Sequence, residues 1–173
     1  PPPNCDGPPE IVMILDASGS ITDKGSGNWN LMRQFGQRVI SSLSNKRNAR
    51  FAYIRFSEEG YIDSQLNSDY NLVNSIIDNS NHVGGYTSHA DALRKAVEVL
   101  RSRRTNSVQY IIMVTDGEAT WEQGLEFGIA DQLKNQGVVM ILIGVTYQID
   151  EPELRRLSYP QGYYFRSETF QNL

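Results

Sequence analysis

The chain has 173 residues, of which 39% are hydrophobic and 21% charged, and carries a net charge of -4 at neutral pH. This composition fits one soluble globular domain around a single core and offers no overall attraction to nucleic acid or to anionic lipid. No apolar stretch approaches the length that spans a bilayer, so direct membrane insertion is not expected.

Residues 1–9, Pro1-Pro2-Pro3-Asn4-Cys5-Asp6-Gly7-Pro8-Pro9, read as an extended proline-rich lead-in without the charged-then-apolar order of a signal peptide. Cys5 is the sole cysteine, so the chain can form no internal disulfide. In a secreted protein a leftover cysteine points to a partner outside these residues; in an intracellular one it is a reduced thiol. No Asn-x-Ser/Thr acceptor occurs.

Residues 10–173 read as one domain in which apolar runs of strand length alternate with segments of helical period. The first strand is expected at Ile11 to Leu15. A helix follows over Trp29 to Leu43, with Leu31, Phe35, Val39, Ile40 and Leu43 on one apolar face and Trp29 in the core or stapling the helix start. Strands at Arg50 to Phe56 and Tyr61 to Ser64 are separated only by Ser57-Glu58-Glu59-Gly60, too short for a parallel crossover, so they form a hairpin with a solvated tip and an antiparallel edge strand. A helix over Ser88 to Leu100 is capped by Ser88, and the basic run Arg101-Ser102-Arg103-Arg104 at its end answers the helix dipole. A strand at Tyr110 to Val114, a helix from Gly124 to Asn135 stopped by Gly137, a strand at Val138 to Ile143, a short helix with Pro152 in its first turn and a last strand at Tyr163 to Phe165 complete the chain. The predicted fold is α/β: a doubly wound, mostly parallel six-stranded sheet with one antiparallel edge strand and helices on both faces.

Ligands of such sheets bind beyond the carboxyl ends of the strands, where strand order reverses. Asp16-Ala17-Ser18-Gly19-Ser20 follows the first strand, and Thr115-Asp116-Gly117 follows the fourth. The loop Val83-Gly84-Gly85-Tyr86-Thr87-Ser88 could bring Thr87 to the same place, its glycines allowing close backbone approach. Each segment alone reads as turn and capping chemistry. Together they make an oxygen set suited to a hard dication such as Mg²⁺.

In their order and spacing, Asp16-Ala-Ser-Gly-Ser20, Thr87 after a Gly-Gly turn, and Thr115-Asp116-Gly117-Glu118 resemble the metal-ion-dependent adhesion site of von Willebrand factor type A domains, the integrin I-domain fold. The resemblance implies hydroxyl ligands at Ser18, Ser20 and Thr87, with Asp16 and Asp116 binding the ion directly or through water. It implies Mg²⁺, with Mn²⁺ or Ca²⁺ as alternatives, and a secreted or extracellular adhesion domain whose ion accepts a Glu or Asp from a protein ligand, a matrix protein or collagen among the candidates. Without the helical insertion before Tyr147 to Glu151 that collagen-binding integrin I domains carry, integrin-style collagen selection is not implied. Family members also end in a long final helix, which would begin near Phe170 to Leu173, and often pair a cysteine before the first strand with one beyond that helix; Cys5 would then pair outside this chain. Tyr86, His89, Glu118 and Trp121 form a candidate ligand-binding rim, with His89 placed on a helix surface.

Two rival readings are an enzyme and a structural module. A Mg²⁺-dependent phosphohydrolase with an aspartate nucleophile after the first strand needs a second acid two positions later, and Ser18 stands there. A serine hydrolase lacks the Gly-x-Ser-x-Gly elbow and has only His82 and His89 as bases, and no phosphate-binding glycine motif occurs. A matrix module whose ion only stabilises loops is the third reading. No catalytic residue is assigned, and the chain is read as a binding domain and not an enzyme.

Overall fold

The structure, a computed structural model, describes residues 6–173; Cys5 and most of the lead-in lie outside the described residues. Six strands form one sheet: β1 (Pro9–Asp16), β2 (Arg50–Phe56), β3 (Gly60–Asn67), β4 (Val108–Thr115), β5 (Val139–Val145) and β6 (Tyr164–Ser167). Their spatial order is β3-β2-β1-β4-β5-β6, every neighbouring pair being parallel except β2 with β3. The predicted architecture and the antiparallel edge are therefore both observed. The chain winds outward from β1 in both directions, so the reversal of order falls between β1 and β4.

Alternation along β1 builds two cores. Val12 and Ile14 face one side, where α4 (His89–Leu100), α5 (Leu125–Asn135) and α6 (Glu151–Leu157) pack, with Leu93, Leu133 and Leu154 buried among them. Ile11, Met13 and Leu15 face the other side, against α1 (Gly19–Asp23), α2 (Asn28–Leu43) and α3 (Tyr70–Asp78). A strand buried on both faces reads as a continuous apolar run, which is why β1 and β4 were visible in the sequence. Among the described residues no helix is long and apolar enough to cross a membrane.

Three sequence expectations change. The fully covered stripe of α2 is Trp29, Met32, Gly36 and Ile40, while Leu31, Phe35, Val39 and Leu43 are only partly buried beside it. Gly36 explains the rotation: a Cβ there would stand 3.3 Å from Leu15 Cδ1, so the bare backbone lets α2 settle onto β1. Trp29 is core, as expected, and donates its indole N–H to the Ser80 carbonyl at 3.1 Å.

The second change is α3, which was not anticipated because Tyr70-Asn71-Leu72-Val73-Asn74-Ser75 mixes apolar and turn-forming residues. It is capped by the Asp69 side chain, which accepts from Leu72 N, and it buries Val73 and Ile77 four residues apart on one face. The third concerns the basic run. Arg103 does donate to the Leu100 carbonyl at the end of α4, but Arg104 reaches instead to the buried Glu10 carboxylate at 2.7 Å, which also receives Arg50.

Candidate metal centre

Asp16 closes β1 on the same side of the sheet as Val12 and Ile14. Because Leu15 is registered with Val114, the next residues on each strand, Asp16 and Thr115, come side by side. Asp16 is fully buried; Oδ1 accepts the Ser18 backbone N–H at 2.9 Å and Oδ2 accepts the Thr115 hydroxyl at 2.7 Å. The first of these is an Asx turn that folds the loop back toward its own strand end. Ser18 Oγ then meets Ser20 Oγ at 3.3 Å, and Ser20 Oγ donates to Asp116 Oδ1 at 2.8 Å. Two loops 96 positions apart in sequence are thus joined by one hydroxyl.

The third loop is drawn in through its backbone. Gly19 N donates to the Gly85 carbonyl at 2.9 Å and Gly84 N to the Ala17 carbonyl at 2.8 Å. Gly84 and Gly85 hold φ of +88° and +86°, a conformation that costs a residue with a Cβ, and a Cβ on Gly85 would also stand 3.0 Å from Glu58 Oε1. The Thr87 carbonyl accepts from Thr120 N and Trp121 N, and Thr87 N donates to Thr120 Oγ1, which ties this loop to the one after Asp116. Thr87 and Ser20 line one open cleft of 560 Å³ together with Lys24, Gly117, Glu118 and Thr120. The structure therefore gathers Asp16, Ser18, Ser20, Thr87 and Asp116 around the mouth of the β1–β4 reversal.

A positive charge already stands beside these oxygens. Lys24 Nζ contacts the Asp116 carbonyl at 2.9 Å and Asp116 Oδ2 at 3.0 Å. Burial raises the Asp116 carboxyl above its usual range, the neighbouring Asp16 charge adds to this, and Lys24 and Ser20 oppose it. Among the described residues no group of three or more His, Cys, Asp or Glu side chains is placed to hold a metal ion. The donor set of two carboxylates and three neutral hydroxyls, with an ammonium seated on one carboxylate, fits a hard dication that keeps positions for other ligands.

His89 departs from its expected place. It is fully buried and belongs to no rim: Nδ1 lies 2.5 Å from Glu153 Oε1, Nε2 lies 3.2 Å from Thr115 Oγ1, and the ring meets Phe56 edge-on. As the first residue of α4, directly after a cap whose side chain accepts from Asp91 N, it is turned toward the sheet and α6 and away from solvent. Burial disfavours the imidazolium, but the Glu153 hydrogen bond and charge, with Asp16 beyond, outweigh it and raise the His89 pKa. With Thr115 donating to Asp16, its oxygen is left to accept from His89, so both ring nitrogens act as donors, as an imidazolium requires. Burial acts against the Glu153 charge as well, and His89 overcomes it, holding Glu153 below the usual range.

The remaining rim residues are at the surface. Tyr86 and Trp121 stack with ring centroids 5.9 Å apart and planes within 5°, at 58% and 49% exposure, and the exposed Glu118 lines the cleft. Glu58 is not simply a solvated tip, since its carboxylate accepts the Tyr86 N–H at 3.3 Å. Lys24, Glu153 and Thr120 had no local signal in the sequence; only the meeting of separate loops gives them a role.

The family model of the von Willebrand factor type A domain matches residues 10–173. The mouse collagen alpha-6(VI) chain is 29% identical over 143 residues, covering 79% of this chain and 6% of that one. Mouse integrin alpha-M is 25% identical over 177 residues, covering 95% of this chain and 15% of that one. Among solved structures, proximal thread matrix protein 1 from the mussel byssus matches with a TM-score of 0.87 at 24% identity, covering 98% of this chain and 44% of that one. The same protein with a zinc-occupied MIDAS motif matches at 0.85, also at 24% identity, covering 98% of this chain and 44% of that one. The chain therefore spans only a small part of the length of these curated relatives.

Proposed function

The chain belongs to the von Willebrand factor type A domain family, and we propose that it is an extracellular binding module that uses a divalent cation to capture an acidic side chain of a protein partner. Ser18, Ser20 and Thr87 would hold the ion through hydroxyls, and Asp16 and Asp116 through carboxylates, directly or by way of water. A bound dication supplies a Lewis-acidic position that a Glu or Asp carboxylate completes. Mg²⁺ is the proposed ion, with Mn²⁺ and Ca²⁺ as alternatives; the zinc-occupied MIDAS motif of the mussel protein supports a divalent ion in general. A matrix protein, collagen included, is the proposed class of partner, supported by likeness to a collagen VI chain and to an integrin subunit.

The observation that carries this reading is the Ser20 bond to Asp116 Oδ1 at 2.8 Å, by which the loops after β1 and β4 present their oxygens to one cleft. Tyr86, Glu118 and Trp121 would form the surface that meets the partner around the ion. The same geometry disfavours the phosphohydrolase reading. The residue two positions after Asp16, where such an enzyme needs an acid for its leaving group, is Ser18, whose hydroxyl meets Ser20 Oγ at 3.3 Å. Cys5 pairing with a cysteine elsewhere is part of the same extracellular proposal.

The test is capture of partners from extracellular matrix in Mg²⁺, repeated in EDTA and with Asp116→Ala. Retention in Mg²⁺ that is lost in both controls supports the reading, and equal retention in chelator rejects it. A Mg²⁺-dependent rise in melting temperature with no Mg²⁺-dependent capture would favour the purely stabilising ion.

A further inference from the structure

We infer that Lys24 is a tethered cation that weakens metal binding at this cleft and biases the metal-loaded site toward an incoming carboxylate, an inference that rests on the metal-site reading above. Lys24 caps the C-terminus of α1, and its ammonium meets the Asp116 carbonyl at 2.9 Å, Asp116 Oδ2 at 3.0 Å and Thr146 Oγ1 at 3.4 Å. Three oxygens match the three N–H donors of an ammonium, so the side chain is fully satisfied inside the protein. Thr146, on the loop after β5, holds φ of +72°, uncommon for a β-branched residue, and it supplies the third of these oxygens. Lys24 thus links the loops that follow β1, β4 and β5.

The oxygens of Asp116 are divided. Oδ1 faces Ser20, one of the proposed ligands, while Oδ2 faces Lys24. The Lys24 side chain is 21% exposed and that of Asp116 is fully buried, so the pair is shielded from most screening by salt. Among the described residues Asp16 touches no such counter-ion: its oxygens accept from Ser18 N and Thr115, and the His89 ring lies one step further, behind Thr115.

Three consequences follow from charge. Two carboxylates and one ammonium leave the cleft a single negative charge where two would otherwise stand, so a dication is attracted less and also meets a like charge nearby. With the dication held, the sum of these charges is positive instead of zero, which favours an anionic side chain from the partner. Without metal, the ammonium offsets the repulsion between Asp16 and Asp116 and keeps the loops together.

The experiment titrates Mn²⁺ alone into the wild-type chain, Lys24→Met, Lys24→Gln and Lys24→Arg at one fixed pH by calorimetry, with melting curves in EDTA alongside. The neutral variants are expected to bind Mn²⁺ roughly tenfold more tightly, on the scale of one like charge removed from a few ångströms away. They should also melt at lower temperature than wild type in EDTA, and Lys24→Arg should keep a near wild-type Kd. Mn²⁺ binding by the neutral variants alone is the same effect at its extreme. Equal or weaker Mn²⁺ binding in Lys24→Met and Lys24→Gln overturns the role of Lys24 and leaves the metal site standing. Absence of Mn²⁺ binding in every form removes both.

Discussion

The Thr115 hydroxyl donates to Asp16 Oδ2 at 2.7 Å across the reversal between β1 and β4, and its oxygen faces His89 Nε2 at 3.2 Å on the other side. One threonine therefore connects an aspartate at the cleft to a buried histidine–glutamate pair behind it. The orientation of Asp16 depends on a strand neighbour and on α4 and α6 packed beneath.

Thr115→Val keeps the β-branched shape that suits a strand but removes the donor to Asp16 and the acceptor for His89. Leaving buried polar groups unpaired is expected to cost about 1–3 kcal/mol. Urea denaturation should show this loss in EDTA, and the Mg²⁺-induced rise in melting temperature should shrink because Asp16 is no longer held.

His89 and Glu153 should behave as a unit. Removing one partner of a buried charged pair costs about 3–5 kcal/mol because the other is left uncompensated. His89→Leu and Glu153→Leu are each expected to destabilise strongly, and the double variant to lose clearly less than the sum of the two. Additive losses in a double-mutant cycle would show that the pair is not coupled.

Glu10 governs acid sensitivity at the opposite end of β1. Its burial acts against the carboxylate charge, yet hydrogen bonds from Arg50 and Arg104 prevail and hold its pKa below the ordinary 4.5. A depressed folded pKa gives stability that is present above the unfolded value and is lost as pH falls through the lower, folded one. Glu10→Gln should therefore lower the melting temperature at pH 6 to 7 and flatten its decline below about pH 4.5. An identical acid slope in wild type and variant would contradict this.

Tyr86 and Trp121 are expected to affect partner binding and leave the ion alone. Stacked, exposed aromatics of this kind are frequent anchors at interfaces, where truncation costs about 2 kcal/mol or more. Tyr86→Ala and Trp121→Ala should weaken Mg²⁺-dependent capture about thirtyfold or more while the Mn²⁺ Kd measured by calorimetry stays at the wild-type value.

Much of the fold was legible because the signals were local. The buried runs Ile11 to Leu15 and Tyr110 to Val114, the short Ser57-Glu58-Glu59-Gly60 connection and the Ser88 cap each act within a few residues, whereas the order β3-β2-β1-β4-β5-β6 was decided by how these elements pack. Helix α3 was not legible, because its stability comes from Val73 and Ile77 packing on α2 and β2 and its composition resembles a loop. The inward face of α2 was displaced for a similar reason: Gly36 carries no hydrophobic signal, yet its missing Cβ lets the helix sit against Leu15.

At the site, the amino-acid order supplied the inventory: two aspartates after buried strands, the hydroxyls of Ser18, Ser20 and Thr87, and glycines able to take positive φ. Which oxygen of each aspartate is engaged, that His89 lies inside, and that Lys24 is seated on Asp116 were settled by tertiary structure alone. The physical reason is range. Strand pattern, turn geometry and capping are decided by neighbours along the chain, whereas charge pairing and burial depend on groups such as Lys24 and Asp116, 92 positions apart, that meet only once the loops converge.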